Sequence, residues 1–326
     1  MKAILLKEFG PPENMYIGKW DRPQPTDDEL LVKVKSTALN RADTMQRQGN
    51  YPPPPGASPI KGLEFAGEVV ATGKNAANWR EGAKVCGLLS GGGYAEYVTI
   101  HKDLAMPIPD GLGFEEAAAI PEVFLTAYQA IIWIAQLKKE EKILIHAGAS
   151  GVGTAALQIA KAVGATSYVT ASKGKHETCL RLGSTKAIDY KSEDFEMAIL
   201  EATNKKGVDV VVDFIAAPYF QKNVQVLGLD GRMVLLALMG GIKVEQFNLL
   251  PFFIKRIQVT ASTLRSRSLD YKIRLSQDLQ NFAWSKFESG EFQPIIDSVY
   301  DWTDVVKAHT RMENNENIGK IILKIT

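Results

Sequence analysis

Residues 142–155 read KILIHAGASGVGTA, an apolar run that passes through Gly148, Gly151 and Gly153 into small residues that favour helix. The pattern predicts a strand, a tight turn and a helix from Thr154 onward. At such a turn Gly151 and Gly153 let a ligand approach the backbone, and unpaired N–H groups at the helix N-terminus suit a pyrophosphate. The alternative is a tight turn with a structural role alone. Because the turn joins a strand to a helix, it favours a dinucleotide site.

The same alternation of apolar strands and helical segments continues downstream. Near-continuous apolar strands separated by helices indicate a parallel sheet covered on both faces. We therefore expect an α/β, doubly wound dinucleotide fold with six strands. The predicted strands are 142–146, 166–171, 187–190, 208–214, 232–238 and 257–261, and the predicted helices are Thr154–Val163, Lys175–Leu182, Glu193–Thr203 and Tyr219–Leu227.

The flanking parts of the chain have a different pattern. Short β-type runs at Leu30–Lys35, Gly67–Ala71 and Tyr94–Ile100 predict a β-rich first domain. The stretch YPPPPGASP at 51–59 predicts a stiff exposed loop at the edge of a binding cleft, because four prolines remove four ladder donors. A long amphipathic helix, Leu269–Phe287, and strands at 294–300 and 318–325 complete the chain.

Composition narrows the classes of partner. The 326 residues are 45% hydrophobic and 23% charged, with a formal net charge of +1. This balance gives no basic footprint for nucleic acid or for an acidic membrane surface. The two cysteines, Cys86 and Cys179, exclude a disulfide framework and a four-cysteine zinc site. No apolar stretch is long enough to span a bilayer, so we expect a cytoplasmic protein with a small neutral partner.

The end of the second predicted strand bears on the choice of nucleotide. An NAD site needs a carboxylate about 20 residues after the glycine turn to bond the ribose 2′-hydroxyl. Residues 169–175 read VTASKGK and contain no acid. Ser172, Lys175 and Tyr190 are available there instead and favour a 2′-phosphate, hence NADPH. The alternative is that the lysines cap a solvated turn.

Several stretches together resemble one enzyme family. They are ALNRADTMQRQG at 38–49, GLEFAGEVV at 62–70, GGGYAEY at 91–97, IHAGASGVGTAA at 145–156 and STLRSR at 262–267. The chain resembles the zinc-free quinone oxidoreductases of the medium-chain dehydrogenase/reductase superfamily, and within them the tumour-suppressor-inducible branch. The resemblance implies a GroES-like catalytic domain at 1–122, a Rossmann NADPH-binding domain at 123–265, and a return of 266–326 to the catalytic domain.

The resemblance also bears on metal. Zinc-dependent relatives hold the metal with a Cys, a His and a third ligand before the middle helix. This chain has Asn40 and Leu63 at the first two positions and Glu122 near the third. One carboxylate does not make the three-ligand set of a catalytic zinc. We therefore expect no metal.

What the family implies is hydride transfer from NADPH to a quinone, including ortho-quinones, with no residue assigned as acid or base. Tyr51 matches the substrate-side tyrosine and could stack on a quinone or donate a hydrogen bond from its hydroxyl. Ser150, where many relatives carry glycine, could cap the helix or face the substrate. The implied cofactor contacts are Asn40, Thr126, Ser150, Gly151, Val152, Gly153, Leu238, Met239, Gly240, Leu264, Arg265 and Asn317.

Two other functions stay open. One is NADPH-dependent reduction of an activated C=C bond in an enal or enoyl thioester, with Tyr51 as the one candidate proton donor. The other is a weakly active, NADPH-sensing binding protein. We expect a homodimer through the apolar strand Ile257–Ala261, which lies at the sheet edge in this fold. Without an assigned acid, the rate with quinone should vary little between about pH 6 and about pH 8.

Overall fold

A computed structural model describes all residues from Met1 to Thr326. The chain divides into two compact units. We call Met1–Leu125 with Leu264–Thr326 the catalytic unit, after the domain that the family resemblance implies, and Thr126–Thr263 the Rossmann unit. Both ends of the chain thus belong to one unit.

The first part of the catalytic unit is rich in strands. Hairpin β1 (Lys2–Leu6) and β2 (Met15–Lys19) precedes the main sheet. The strand β3 shows why the sheet forms, because its apolar residues Leu30, Val32 and Val34 are buried while Lys33 is exposed. The elements after β2 are β3 (Glu29–Ala38), α1 (Arg41–Arg47), β4 (Glu64–Thr72), β5 (Lys84–Leu88), β6 (Tyr97–His101), β7 (Met106–Pro107), α2 (Phe114–Ala118) and α3 (Pro121–Tyr128).

The Rossmann unit has the predicted alternation. Its strands are β8 (Lys142–Ile145), β9 (Thr166–Ala171), β10 (Ser184–Asp189), β11 (Val208–Asp213), β12 (Leu227–Leu235) and β13 (Gln258–Ala261). Its helices are α4 (Gly151–Val163), α5 (His176–Arg181), α6 (Phe195–Ala202), α7 (Ala217–Val226) and α8 (Leu250–Lys255). All strand pairs are parallel, in the order β10-β9-β8-β11-β12-β13. This is the doubly wound order, so the predicted fold class is confirmed.

The last part of the chain completes the catalytic sheet. After α9 (Leu269–Glu288) come β14 (Ile296–Asp301), α10 (Val305–Glu313) and β15 (Lys320–Lys324). The strand β15 pairs antiparallel with β3 and parallel with β14. The sheet order is β14-β15-β3-β4-β5-β7, with β6 also paired to β3. The C-terminal strand therefore inserts beside a strand from the N-terminal part.

Some predicted elements differ from the structure in their bounds. The strand predicted at 94–100 begins only at Tyr97, because Gly91 and Gly92 have positive φ and the Tyr94 N–H bonds the Lys61 carbonyl in a turn. Helix α10, which the pattern did not predict, buries Val305, Ala308 and Met312 on one face. No helix combines the length and the apolar character needed to cross a membrane.

Candidate active site

Ser150 begins the helix of the glycine turn. Its Oγ accepts a hydrogen bond from the Gly153 N–H at 3.1 Å, so α4 starts at Gly151, three residues before the predicted start. A serine cap of this kind contributes about 1 kcal/mol. The N–H groups of Gly151 and Val152 have no acceptor within the protein. Two free donors at the start of a 13-residue helix make a site for an anion such as a pyrophosphate.

Two of the glycines are needed because there is no room for a side chain. A Cβ on Gly153 would lie 2.4 Å from the Ala147 oxygen and 2.6 Å from the Gly148 oxygen. A Cβ on Gly148 would lie 2.5 Å from the Val169 Cβ on β9. Thus Gly148 permits close packing of the turn on the neighbouring strand, and Gly153 permits the turn itself. Both uses are those of a dinucleotide-binding turn.

Ser172, Lys175 and Tyr190 lie at one end of the Rossmann sheet. Ser172 directly follows β9, and Lys175 is the last residue of the short turn at 173–175 that comes next. Tyr190 directly follows the adjacent strand β10. The last residue of β10 is Asp189, whose carboxylate accepts hydrogen bonds from Ser192 Oγ at 2.8 Å and from the Lys191 N–H. These bonds hold the pKa of Asp189 below its ordinary value. The end of β9 itself carries no acid.

The other predicted cofactor residues of the Rossmann unit lie in two places. Thr126 is partly buried, and its Oγ1 has no hydrogen-bond partner in the protein. Because buried polar atoms are usually hydrogen-bonded, this oxygen is available to a polar ligand. The loop Leu238–Gly240 follows β12 and is tied to the turn after β11, because Met239 and Gly240 donate to the carbonyls of Phe214 and Ile215. Leu238 and Met239 are about half exposed. The unpaired Thr126 hydroxyl, the free N–H groups of Gly151 and Val152 and the tight glycine turn are all features that fit a nicotinamide dinucleotide.

In the catalytic unit, a buried lysine binds Asn40, where zinc-dependent relatives place a ligand, and Glu64, which follows the second such position at Leu63. Lys320 Nζ donates to Glu64 Oε1, Asn40 Oδ1 and the Leu39 carbonyl, each at 2.7 Å. Asn40 Nδ2 also donates to Glu64 Oε1 at 2.8 Å. Lys320 and Glu64 are almost fully buried. The amide oxygen and the amide nitrogen of Asn40, the predicted nicotinamide contact, are therefore both hydrogen-bonded inside the catalytic unit.

Asp43 fixes the backbone around this ion pair. Its two oxygens accept the N–H groups of Asn40 and Gly62, each at 2.8 Å. Burial raises the pKa of Asp43 to about 6, although these two bonds oppose the rise. The residues do not fit a zinc site, because the two positions expected to supply Cys and His hold Asn40 and Leu63 and an ammonium group bonds the carboxylate. No group of three or more His, Cys, Asp and Glu side chains is arranged to hold a metal ion.

Arg265 is buried and packs against Tyr51. Its guanidinium carbon lies 5.1 Å from the centre of the Tyr51 ring. Its Nε donates to the Ser90 carbonyl at 2.9 Å, and its Nη2 donates to Gln46 Oε1 at 2.7 Å, whereas Nη1 has no partner. Lys272 supports this arrangement, since its Nζ donates to the Arg265 carbonyl and to Ser90 Oγ. Tyr51 thus lies over a rigidly held cation, a position that the sequence did not indicate.

Glu122 lies at the start of α3, beside the same ion pair. Its N–H donates to Glu64 Oε2 at 2.8 Å, and its carboxyl group accepts no hydrogen bond from the protein. Solvent reaches part of the side chain. Burial, followed by the nearby Glu64 carboxylate, raises the pKa of Glu122 to about 7, although Lys320 and Arg265 oppose the rise. Sequence reasoning assigned no role to this residue.

The raised pKa has a consequence for stability. The ordinary value is 4.5, so between this value and about 7 the folded protein holds more protons than the unfolded chain, and the free energy of unfolding falls as pH rises. Above about pH 7 the Glu122 carboxyl group is ionised in the folded protein too, so the full loss of unfolding free energy is present. We expect Glu122→Gln to stabilise the protein at about pH 8 by about 2 kcal/mol, after a discount for partial exposure, and by little at about pH 5. Urea unfolding at the two pH values measures this, and an equal change at both would contradict it.

The remaining predicted residues of the catalytic unit have clear places. Leu264 is buried, and Asn317 Nδ2 donates to the Gly319 carbonyl at 2.8 Å. A separate cavity of about 480 Å³ in this unit is lined by Trp20, Leu88, Tyr97 and Lys272, among others, and contains neither Tyr51 nor Glu122. The residues that sequence reasoning missed are Lys272 and Lys320. The signal was a lysine among apolar residues, on the buried face of α9 for Lys272 and at the first position of β15 for Lys320.

Two family models match successive parts of this chain. The family described as zinc-binding dehydrogenase matches residues 151–282, and the alcohol dehydrogenase GroES-like domain matches residues 26–110. The zebrafish (Danio rerio) synaptic vesicle membrane protein VAT-1 homolog is 31% identical, with 99% of this chain and 69% of that protein covered. Human quinone oxidoreductase is 29% identical, with 99% of this chain and 97% of that protein covered.

A solved structure extends the likeness along the whole chain. The enoyl reductase CurK superposes with a TM-score of 0.89 at 26% identity, and covers 100% of this chain and 99% of its own. Fold and site thus define a two-unit, nucleotide-binding oxidoreductase. The chain belongs to the medium-chain dehydrogenase/reductase superfamily, whose oxidoreductases bind a nicotinamide cofactor.

Proposed function

We propose that this protein is an NADPH-dependent quinone reductase that transfers hydride without zinc, of the tumour-suppressor-inducible branch. The observation that carries the proposal is the buried ion pair of Lys320 with Glu64, in which Lys320 also donates to Asn40 at one of the positions where zinc-dependent relatives place a ligand. With no Lewis acid at this position, the acceptor must itself tolerate the negative charge that develops on hydride addition. A quinone does so, because the charge delocalises over its ring and oxygens.

The residues that would hold the cofactor lie in the Rossmann unit. The free N–H groups of Gly151 and Val152 suit the pyrophosphate, and Ser172 and Lys175 suit the 2′-phosphate. NADPH, when bound, supplies the hydride. Tyr51, with its ring on Arg265 and its hydroxyl partly exposed, suits a flat acceptor with two adjacent oxygens, an ortho-quinone.

Reduction of activated C=C bonds is the second candidate function. Glu122 favours it, because an enal or enoyl thioester needs a proton at Cα and this carboxyl group carries one near neutral pH. The likeness to CurK, an enoyl reductase, is consistent with it. A weakly active NADPH-sensing protein is the third candidate, and turnover separates it from both enzymes.

One assay tests the proposal. NADPH consumption is measured with the wild-type protein and a panel of ortho-quinones, para-quinones, enals and enoyl thioesters. We expect the highest kcat/KM with an ortho-quinone. A higher value with an enal or enoyl thioester would overturn the proposal in favour of C=C reduction, and no turnover with any acceptor would leave the binding function.

The preference for NADPH gives a second test. A charge-assisted hydrogen bond from Lys175 to a phosphate is worth about 1.5–3 kcal/mol, and about 1.4 kcal/mol is a factor of ten. We expect Lys175→Ala to weaken NADPH binding about ten- to a hundredfold and to leave NADH binding nearly unchanged. Fluorescence titration of both cofactors measures this. Equal losses with the two cofactors would contradict the assignment.

We also propose that the protein is a cytoplasmic homodimer through the edge of the Rossmann sheet. The strand β13 pairs only with β12, and the preceding helix exposes Leu250, Phe253 and Ile254, with Phe253 86% exposed. Two such edges related by a two-fold axis would join two six-stranded sheets and cover these side chains.

Sedimentation velocity tests the dimer. We expect twice the chain mass of 35.8 kDa at micromolar concentration, and we expect Phe253→Asp to shift the protein toward monomer. Met197→Asp is the matched control, because Met197 is a similarly exposed apolar residue on α6 of the same unit and should leave the dimer intact. A monomeric wild type would rule the proposal out.

A further inference from the structure

The acidic groups at the centre of the catalytic unit are nearly all fully bonded. Both oxygens of Asp43 accept backbone N–H groups. Glu64 Oε1 accepts from Lys320 and Asn40, and Glu64 Oε2 accepts from the Glu122 N–H. Lys320 uses its three N–H bonds on three oxygens. The carboxyl group of Glu122 is therefore the acid of this cluster that is left for a ligand.

Other candidate proton donors of the unit are less suitable. His309 is fully buried, and burial holds its pKa well below the ordinary value, so it is neutral at physiological pH. Burial raises the pKa of the Cys86 thiol. Burial and the nearby Glu122 raise the pKa of Tyr51, although Arg265 opposes the rise. The Cys86 thiol and the Tyr51 hydroxyl are therefore weaker acids than Glu122, and the neutral His309 ring carries no acidic proton.

Glu122 is held in its protonated form by its surroundings. Glu64 and Asp43 repel a second negative charge, whereas Lys320, Arg265 and Lys272 attract one. The N-terminal end of α3 also favours the anion. Burial and the Glu64 charge outweigh these attractions, so the group titrates near neutral pH.

We infer that Glu122 donates the proton that completes reduction of the acceptor, an inference that rests on the proposed function. Hydride addition to a quinone brings two electrons and one hydrogen and gives the hydroquinone monoanion. The O–H bond of protonated Glu122 breaks, an O–H bond forms on the acceptor oxygen, and Glu122 remains as a carboxylate. Solvent, which reaches part of its side chain, returns the proton.

The same group can serve C=C reduction. Hydride addition at Cβ of an enal leaves an enolate, and the proton of Glu122 would then form a C–H bond at Cα. An enolate carbon is protonated slowly by water, whereas a hydroquinone oxygen is protonated rapidly. The loss on removal of the acid should therefore be larger with an enal than with a quinone.

The pH profile of kcat tests the inference with an ortho-quinone and an enal. We expect the wild-type rate with the enal to fall above about pH 7, tenfold per pH unit where protonation limits the rate, and the rate with the ortho-quinone to fall less. Glu122→Gln should lose this dependence and be slower at about pH 6, at least tenfold with the enal. Glu122→Asp should retain the dependence. Glu81→Gln is the control, because Glu81 is exposed in the same unit and should behave as wild type.

A measurement without cofactor completes the test. Infrared difference spectra of the free protein should show protonated carboxyl bands for both raised groups, that of Asp43 disappearing near pH 6 and that of Glu122 near pH 7. The band that disappears near pH 7 should be absent from Glu122→Gln and remain in Glu81→Gln. Turnover with an unchanged pH profile in Glu122→Gln, or a band that disappears near pH 7 in this variant, would overturn the inference and leave the proposed function intact. Absence of turnover in the wild type overturns the proposed function instead.

Discussion

Replacement of Lys320 by Met should destabilise the catalytic unit by about 3–5 kcal/mol, which is the cost of breaking a buried ion pair by removal of one partner. Lys320 Nζ and Glu64 Oε1 are 2.7 Å apart, and their side chains are 3% and 0% exposed. Without the ammonium group, the Glu64 carboxylate, the Asn40 amide oxygen and the Leu39 carbonyl all lose a donor. Urea unfolding followed by tryptophan fluorescence measures the loss.

Lys324→Met is the matched control for this change. Lys324 lies on the same strand, its side chain is 57% exposed, and its ion pair with Glu115 is at the surface. A surface pair is worth about 0–1 kcal/mol, so the control should unfold almost like the wild type. The double variant Lys320→Met with Glu64→Leu should recover part of the loss, because no charge is then left buried alone. Equal stability of Lys320→Met and Lys324→Met would contradict the ion pair.

Replacement of Gly153 by Ala should weaken NADPH binding at least about a hundredfold, which is about 2.7 kcal/mol. The new Cβ would lie 2.4 Å and 2.6 Å from the carbonyl oxygens of Ala147 and Gly148, both of which are backbone atoms that cannot move aside separately. The turn must shift, and with it the N–H groups of Gly151 and Val152 that suit the pyrophosphate. Fluorescence titration with NADPH measures the affinity.

Gly174→Ala is the control for this second change. Gly174 lies in the short turn after β9, and a Cβ there meets no atom within 4 Å. In a titration with NADH, which lacks the 2′-phosphate expected at the flanking Ser172 and Lys175, this variant should bind as the wild type does, whereas Gly153→Ala should lose affinity for NADH as well. Circular dichroism shows whether Gly153→Ala is still folded, since overpacking by one methyl group costs about 1–3 kcal/mol. A folded Gly153→Ala protein with nearly unchanged affinity would show that the glycine turn does not hold the cofactor.

The proposed role of Glu122 departs from one expectation from the sequence. No acid was assigned there, so the rate was expected to vary little between about pH 6 and about pH 8. With the pKa of Glu122 raised to about 7, a group that titrates in this window lies beside Tyr51 and Arg265 in the catalytic unit. The sequence could not indicate this, because the rise comes from burial and from Glu64, which is 58 residues away along the chain.

Local pattern was sufficient for most of the Rossmann unit. Its strands are apolar over most of their length and most of its helices are spaced regularly, so every strand and every helix except α8 could be predicted from neighbouring residues, and the glycine turn marked the first βα unit. Ser150 also acts locally, since it caps the helix that it precedes. Edges of elements differed by a few residues because caps and turns, such as that at Ser150, set the ends.

The acceptor side depended on long-range contacts. Lys320 reaches Asn40 across 280 residues of chain, because β15 pairs with β3, and Arg265 meets Gln46 across 219 residues. No periodicity within a window of sequence records such pairings. The sequence by itself determined the fold class and the nucleotide turn, whereas only the tertiary structure decided which charges are paired, which are buried and which carboxyl group keeps a proton, since all three depend on distances between residues remote in the chain.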